Sequence, residues 1–342
     1  MNNPNENQHF VSTVLLKRFK ISGNALQCYQ VQAGNWISKN PDKACASPGY
    51  NQLMFSGQTE AENKLEAEFS AVESRLPKLF KALEAAATRP TTELAEEIYN
   101  DLCKYCAFLK LVAPHAKPGA VAAFLFQLNW ELERQEKSLL RDLQIPEETI
   151  IAWSNECKLG KRVIIESDNA LQLLYRFQFN RLFQFNVADL KAAHWTIFNS
   201  SIELPISDVG VVPIGFSDLR VNAYLLPLSP NLLLRGLFYF DREKRSTTRN
   251  IKSRLLTKEE AELFFDCICS SAVTEIVCSG VNADVPKAIQ RAKSNGIKFH
   301  KITNPKEVLT AGLKSTNVDY LFKVVSVDEY KRVVYSFMQP AD

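Results

Sequence analysis

The sequence predicts an α+β fold with an N-terminal β-hairpin element, a central helical block, an antiparallel or mixed sheet and a small C-terminal βα appendage. Three observations predict it. Short β-branched and aromatic runs bounded by turn residues occur near the start and again from Trp195 to Phe240. Apolar residues recur at steps of three and four between Glu60 and Phe185, the mark of helices buried on one face. Beyond Thr257 helical and strand patterns alternate. With 342 residues, 46% of them hydrophobic and 23% charged, the chain can bury a sizeable core without staples. The division expected is a core domain over 1–254 and a C-terminal helix with its βα appendage over 255–342.

In chain order, Val11 to Phe19 is a short apolar run. Ala25 to Val31 and Trp36 to Ser38 flank Gln32-Ala33-Gly34-Asn35, a turn signal that predicts a hairpin. Leu65, Phe69, Val72, Leu76, Leu79 and Leu83 form one helical stripe, which Pro77 should kink or divide. Thr92 is the expected N-cap of a helix through Ile98, Leu102, Cys106 and Leu109 to Pro114. A third helix is expected over Pro118 to Leu143, a fourth opening at Pro146, and a fifth over Asn169 to Phe185 with Ser167 as its cap. Strands follow at Trp195–Asn199, Ile202–Ile206, Val221–Leu226 and Leu232–Phe240. Asp241 to Lys258 carries seven Lys or Arg against Asp241 and Glu243, and reads as an exposed loop. Thr257 begins a helix to about Ser279. The appendage is expected as helix Pro286–Ser294, strand Ile297–Ile302, strand Tyr320–Val327 and helix Glu329–Phe337.

Composition narrows the function classes. No run approaches the roughly 20 apolar residues of a membrane span, and the polar start from Met1 to Gln8 lacks the pattern of an export signal, so a cytoplasmic protein is expected. The eight cysteines are scattered, and Cys103-x-x-Cys106 has no second Cys or His pair near it, so buried reduced thiols are expected. A net charge of +3 is too small to argue for nucleic acid. Phosphate-binding loops, dinucleotide fingerprints, nucleophile elbows and zinc-protease or deaminase motifs are missing.

Several separated fragments resemble a bacterial domain-of-unknown-function family, DUF4238. They are His9-Phe10-Val11-Ser12, Leu15-Leu16-Lys17-Arg18-Phe19, the set Glu62, Leu65 and Glu68, Trp195, Ile206-Ser207-Asp208-Val209-Gly210, and Pro227-Leu228-Ser229-Pro230. The likeness covers roughly residues 8 to 280. Ser12 and Gly210 stand where the family has proline, and Ala113-Pro114 where it has Arg-Pro. The resemblance implies an architecture and no chemistry.

The sharpest chemical set is His9, Glu62, Ser207 and Asp208, the residue types a metal-assisted hydrolase assembles. Each also has a structural role open to it: His9 as a hairpin hydrogen bonder, Glu62 at a helix N-terminus, Ser207-Asp208 closing a turn. A second set, Arg242, Lys244, Arg245, Arg249, Lys252, Arg254 and Lys258, offers phosphate contacts, or else a solvated surface. The function expected is a non-catalytic sensor or interaction component of a stress or antiviral defence system. A protein partner is expected, with nucleic acid as a second candidate. The alternative is a metal-dependent hydrolase or nuclease using His9, Glu62 and Asp208, for which a divalent metal is the implied cofactor.

Overall fold

The computed structural model describes residues 7–20, 25–48, 64–113, 116–134, 146–165, 179, 182–216, 221–294 and 322–338. Among these the fold is α+β, built on two main sheets that share their cores. Strand β1 (Asn7–His9) pairs antiparallel with β4 (Ala46–Pro48). Between them lie α1 (Thr13–Leu16), capped by the Ser12 hydroxyl, and the hairpin of β2 (Leu26–Gln30) and β3 (Asn35–Lys39). That hairpin turns as its Gly-Asn signal predicts, with Gly34 at φ +66°.

The long helical stripe is divided before Pro77 into α2 (Lys64–Glu73) and α3 (Leu76–Ala87). Here the structure corrects one expectation. Thr92 is not a helix cap; it lies in β5 (Thr91–Glu93), which pairs with β12 (Asn250–Leu255). Helix α4 (Glu96–Val112) starts after Ala95 instead, with Glu96 and Glu97 in its first turn, where the helix dipole favours acids. Then come α5 (Ala116–Arg134), α6 (Glu147–Lys158), β6 (Lys161–Ile165) and α7 (182–191).

The six-stranded sheet runs β5-β12-β7-β11-β10-β9, with β7 (His194–Asn199), β9 (Val212–Phe216), β10 (Val221–Ser229) and β11 (Leu232–Tyr239). All its pairs are antiparallel except β12 with β7. The second correction is here: a third of the expected loop at Asp241–Lys258 is β12, one strand in from the sheet edge. Its lone apolar residue on the core side, Ile251, is fully buried beside Trp195. Of the strand expected at Ile202–Ile206 only β8 (Ile206–Ser207) forms.

The four-stranded sheet, β3-β2-β13-β8, takes β13 (Glu275–Cys278) between the N-terminal hairpin and β8. The helix from Thr257 therefore ends sooner than expected, as α8 (Lys258–Ser271), because the chain must turn at Ala272–Thr274 to enter the sheet. One face of the two sheets meets α2–α4 in a core with Phe19, Leu26, Phe69, Phe108, Trp195 and Leu234. The opposite face meets α8 and α9 (Asp284–Ser294) around Phe198, Leu225, Leu233, Phe265, Ile268 and Ile276. Residues on both sides of position 254 thus contribute to one core.

The last described elements, β14 (Phe322–Ser326) and α10 (Val327–Met338), dock on α5 and β6, with β14 antiparallel to β6. Asn129 of α5 holds β6 there, its amide donating to the Val163 carbonyl (2.9 Å) and accepting from the Val163 N–H (2.8 Å). The strand expected at Ile297–Ile302 lies outside the described residues, as does most of the helix expected over Asn169–Phe185. Among the described residues no helix is long and apolar enough to cross a membrane.

Candidate functional site

Asp208 follows β8 directly and is completely buried. Its carboxylate accepts hydrogen bonds from the backbone N–H groups of Val273 (2.9 Å), Thr274 (2.7 Å) and Glu275 (3.4 Å), and from the Thr274 hydroxyl (2.6 Å). Its own N–H donates to the Glu275 carbonyl at 3.1 Å. The carboxylate therefore fastens the turn by which the chain passes from α8 into β13. Burial raises its pKa despite these donors. Ser207, also fully buried, shares a 3.0 Å hydrogen bond with the Ser271 hydroxyl.

His9 closes β1 and is half-buried, its Nε2 lying 3.2 Å from the Thr13 hydroxyl. Burial lowers its pKa, outweighing the pull of Glu73. Among the described residues no hydrogen bond or ion pair joins His9 to Asp208. What connects their neighbourhoods is backbone and one other acid. The Phe10 N–H donates to the Cys45 carbonyl (2.9 Å), and the Cys45 N–H donates to the Glu275 carboxylate. Glu275 is only 3% exposed, and it also accepts from Lys39 and from the Gln30 amide at 2.9 Å. Cys45 meets this acid with φ +47°, a left-handed conformation uncommon in a residue with a Cβ. Glu62 lies outside the described residues. Among the described residues no three His, Cys, Asp or Glu side chains are grouped to hold a metal ion. All eight cysteines are buried and free, Cys103 and Cys106 within the α4 core face.

The basic set is divided by the fold. Arg242 and Lys244 are exposed on a short 3-10 turn, Lys244 lying 3.7 Å from Asp241. Arg245 folds back, donating to the Tyr239 carbonyl (3.1 Å) and stacking 4.7 Å from the Phe238 ring. Arg249 pairs with Glu93 (2.9 Å) and Glu96 (3.5 Å), and Lys258 with Glu262 at 4.0 Å.

Lys252 and Arg254 are different, because alternation along β12 puts both on the face opposite Ile251. The register aligns Arg235 of β11, Thr196 of β7 and Lys252 of β12 in one row, and Arg254 beside Phe198 in the next. The guanidiniums of Arg235 and Arg254 lie 4.8 Å and 4.5 Å from the Phe198 ring centroid. Arg254 also pairs with Glu260, at 2.7 Å for the longer of its contacts. The Arg235 Nε is buried and has no hydrogen-bond partner among the described residues. Burial and the neighbouring Arg254 lower the pKa of Arg235. Helix α8 covers only the end of this face around Phe198, Leu225 and Leu233; His194, Thr196, Leu237, Tyr239 and Lys252 are exposed or half-exposed.

A family model described as protein of unknown function (DUF4238) matches residues 7–280. The chain belongs to the DUF4238 family. No curated protein and no solved structure gives a significant match. The DUF4238 region runs from β1 through β13, and α9, which adds Val285 and Ala288 to the second core, follows it. Several fragments that carry the resemblance touch one another. Arg18 donates to the Leu228 carbonyl at 2.6 Å, joining the Lys-Arg-Phe element to the Pro-Leu-Ser-Pro segment. A Cβ placed at Gly210 would sit 3.4 Å from Val11. Gly210 itself has φ +69°, which proline, fixed near −65°, cannot adopt.

Sequence reasoning missed Arg235, Glu275 and Lys110. Arg235 shows in the sequence only as a break in an apolar strand. Glu275 is one residue of a short strand, and the groups that meet its carboxylate, from Gln30, Lys39 and Cys45, are over 200 positions away. Lys110, in the last turn of α4, looks like an ordinary complement to the helix dipole; its ammonium lies 4.2 Å from the Tyr224 ring centroid, and burial brings its pKa to about 8.

Proposed function

We propose that this DUF4238 protein is a non-catalytic sensor or interaction component, cytoplasmic, of the kind a stress or antiviral defence system employs. The observation that carries this is the state of Asp208: it is fully buried, and both carboxylate oxygens are occupied by the Val273–Glu275 segment. A metal ligand or general base must present a lone pair to the reacting centre. Freeing Asp208 for that role would unfasten β13 from the sheet. A hydrolase built on His9, Glu62 and Asp208 remains the alternative reading, and it requires that rearrangement. Exposed Phe240 (53%), followed by Arg242 and Lys244 on the same turn, supports a contact surface.

The test is native size-exclusion chromatography of the tagged full chain expressed in its own bacterial cells. The proposal expects a stoichiometric partner that leaves the complex in a Phe240→Asp, Arg242→Glu variant with unchanged melting. A chain that elutes alone in every preparation would overturn it.

A further inference from the structure

The open half of the six-stranded sheet presents three cations that the fold does not fully neutralise. Arg235, Lys252 and Arg254 come from β11 and β12, separated only by Thr196 of β7. Adjacent strands lie roughly 4.8 Å apart, so the three charges sit within about two strand spacings of each other. Glu260 pairs with Arg254 and also attracts Arg235, so one carboxylate faces the two guanidiniums. Arg235 and Arg254 repel across Phe198, and the Arg235 Nε is a buried donor without an acceptor among the described residues. An incoming oxyanion on the open face would relieve this repulsion. The same face carries the Thr196 hydroxyl, a further donor, and Tyr239 with its ring 5.7 Å from that of His194.

We propose that this face binds single-stranded nucleic acid, with Arg235, Lys252 and Arg254 on successive phosphates and Tyr239 as the stacking ring for a base. Basic side chains tracking a backbone beside an aromatic platform is how strands are held without base readout. A strand is favoured over a lone phosphate ester because Arg235 and Lys252 lie two strands apart, with Thr196 of β7 between them, on an open sheet face and not in a closed pocket. The inference rests on the reading of the chain as a binding component.

The experiment is fluorescence anisotropy of the full chain with a labelled 20-nucleotide single strand, DNA and RNA in parallel, at several salt concentrations. Lys252→Glu, on the exposed side of β12, is expected to weaken binding by at least tenfold. It should also lower the slope of log K against log salt by about one. Arg235→Gln is expected to act in the same direction. Lys258→Glu makes the same change of charge outside the face and is expected to leave binding near wild type. The proposal is overturned if no strand binds at low salt, if Lys258→Glu weakens binding as much as Lys252→Glu, or if AMP and inorganic phosphate compete at the oligonucleotide's own affinity. A partner that still co-elutes with Lys252→Glu would keep the interaction reading while this inference fails.

Discussion

Asp208→Ala is expected to be among the most destabilising single changes in the chain. The carboxylate holds three donors at 2.6–2.9 Å, two backbone N–H groups and the Thr274 hydroxyl, in a site without solvent exposure. Hydrogen bonds to a charged group contribute about 1.5–3 kcal/mol each, and buried donors left unmade cost about 1–3 kcal/mol each. Against this stands the cost of burying the carboxylate, which the upward shift of its pKa records. A net loss of roughly 3–5 kcal/mol follows, the range seen when one member of a buried charged network is removed. Asp208→Asn keeps one acceptor oxygen but turns an amide N–H toward at least one of these donors, and should lose roughly half as much. Urea unfolding followed by tryptophan fluorescence and far-UV circular dichroism measures both. An Ala variant within about 1 kcal/mol of wild type would refute the view of Asp208 as a fastener.

Further outcomes follow from the same kind of reasoning. Gly236→Ala should destabilise by about 1–3 kcal/mol through overpacking, because a Cβ there would lie 2.9 Å from the Trp195 ring; denaturant midpoints and indole emission report it. Thr257→Ala removes the capping box of α8, in which the Thr257 hydroxyl and the Glu260 side chain satisfy each other's backbone N–H, and should cost about 1 kcal/mol in the same assay. The Glu260 pKa is brought down to about 2, first by its hydrogen bond from Arg254. A carboxylate depressed on folding contributes stability above its unfolded value near 4.5, and that contribution is lost as pH falls from there towards 2. Melting curves of wild type and Glu260→Gln should therefore differ at pH 6 by no more than about 1 kcal/mol, given the exposure of the pair, and converge at pH 2.

What the sequence revealed depended on how local each signal was. The hairpin at Gly34 and the break at Pro77 are each set by one residue's backbone preference, so both were legible. Strand β12 was not. Its neighbours β5 and β7 come from far earlier in the chain, and of its residues only Ile251 faces the first core, so Lys252 and Arg254 gave the look of a loop. Thr92 illustrates the same limit, since a β-branched residue before an acidic helix start can cap or pair, and only the presence of β12 decides. Asp208 was singled out for chemistry, while the donors that occupy its carboxylate lie more than 60 positions away. Likewise the basic residues were visible as a run, while the division between those paired with acids and those sharing a face with Arg235 exists only in the register of the sheet.

The most direct test of the account is a hydrolysis assay on single- and double-stranded nucleic acid with Mg²⁺, Mn²⁺ or Zn²⁺, comparing wild type, His9→Ala and a folded Asp208→Asn variant. The three proteins are expected to give the same background rate in every metal. Metal-dependent turnover in wild type that disappears in Asp208→Asn, at a temperature where that variant is folded, would contradict it and put Asp208 at a reacting centre.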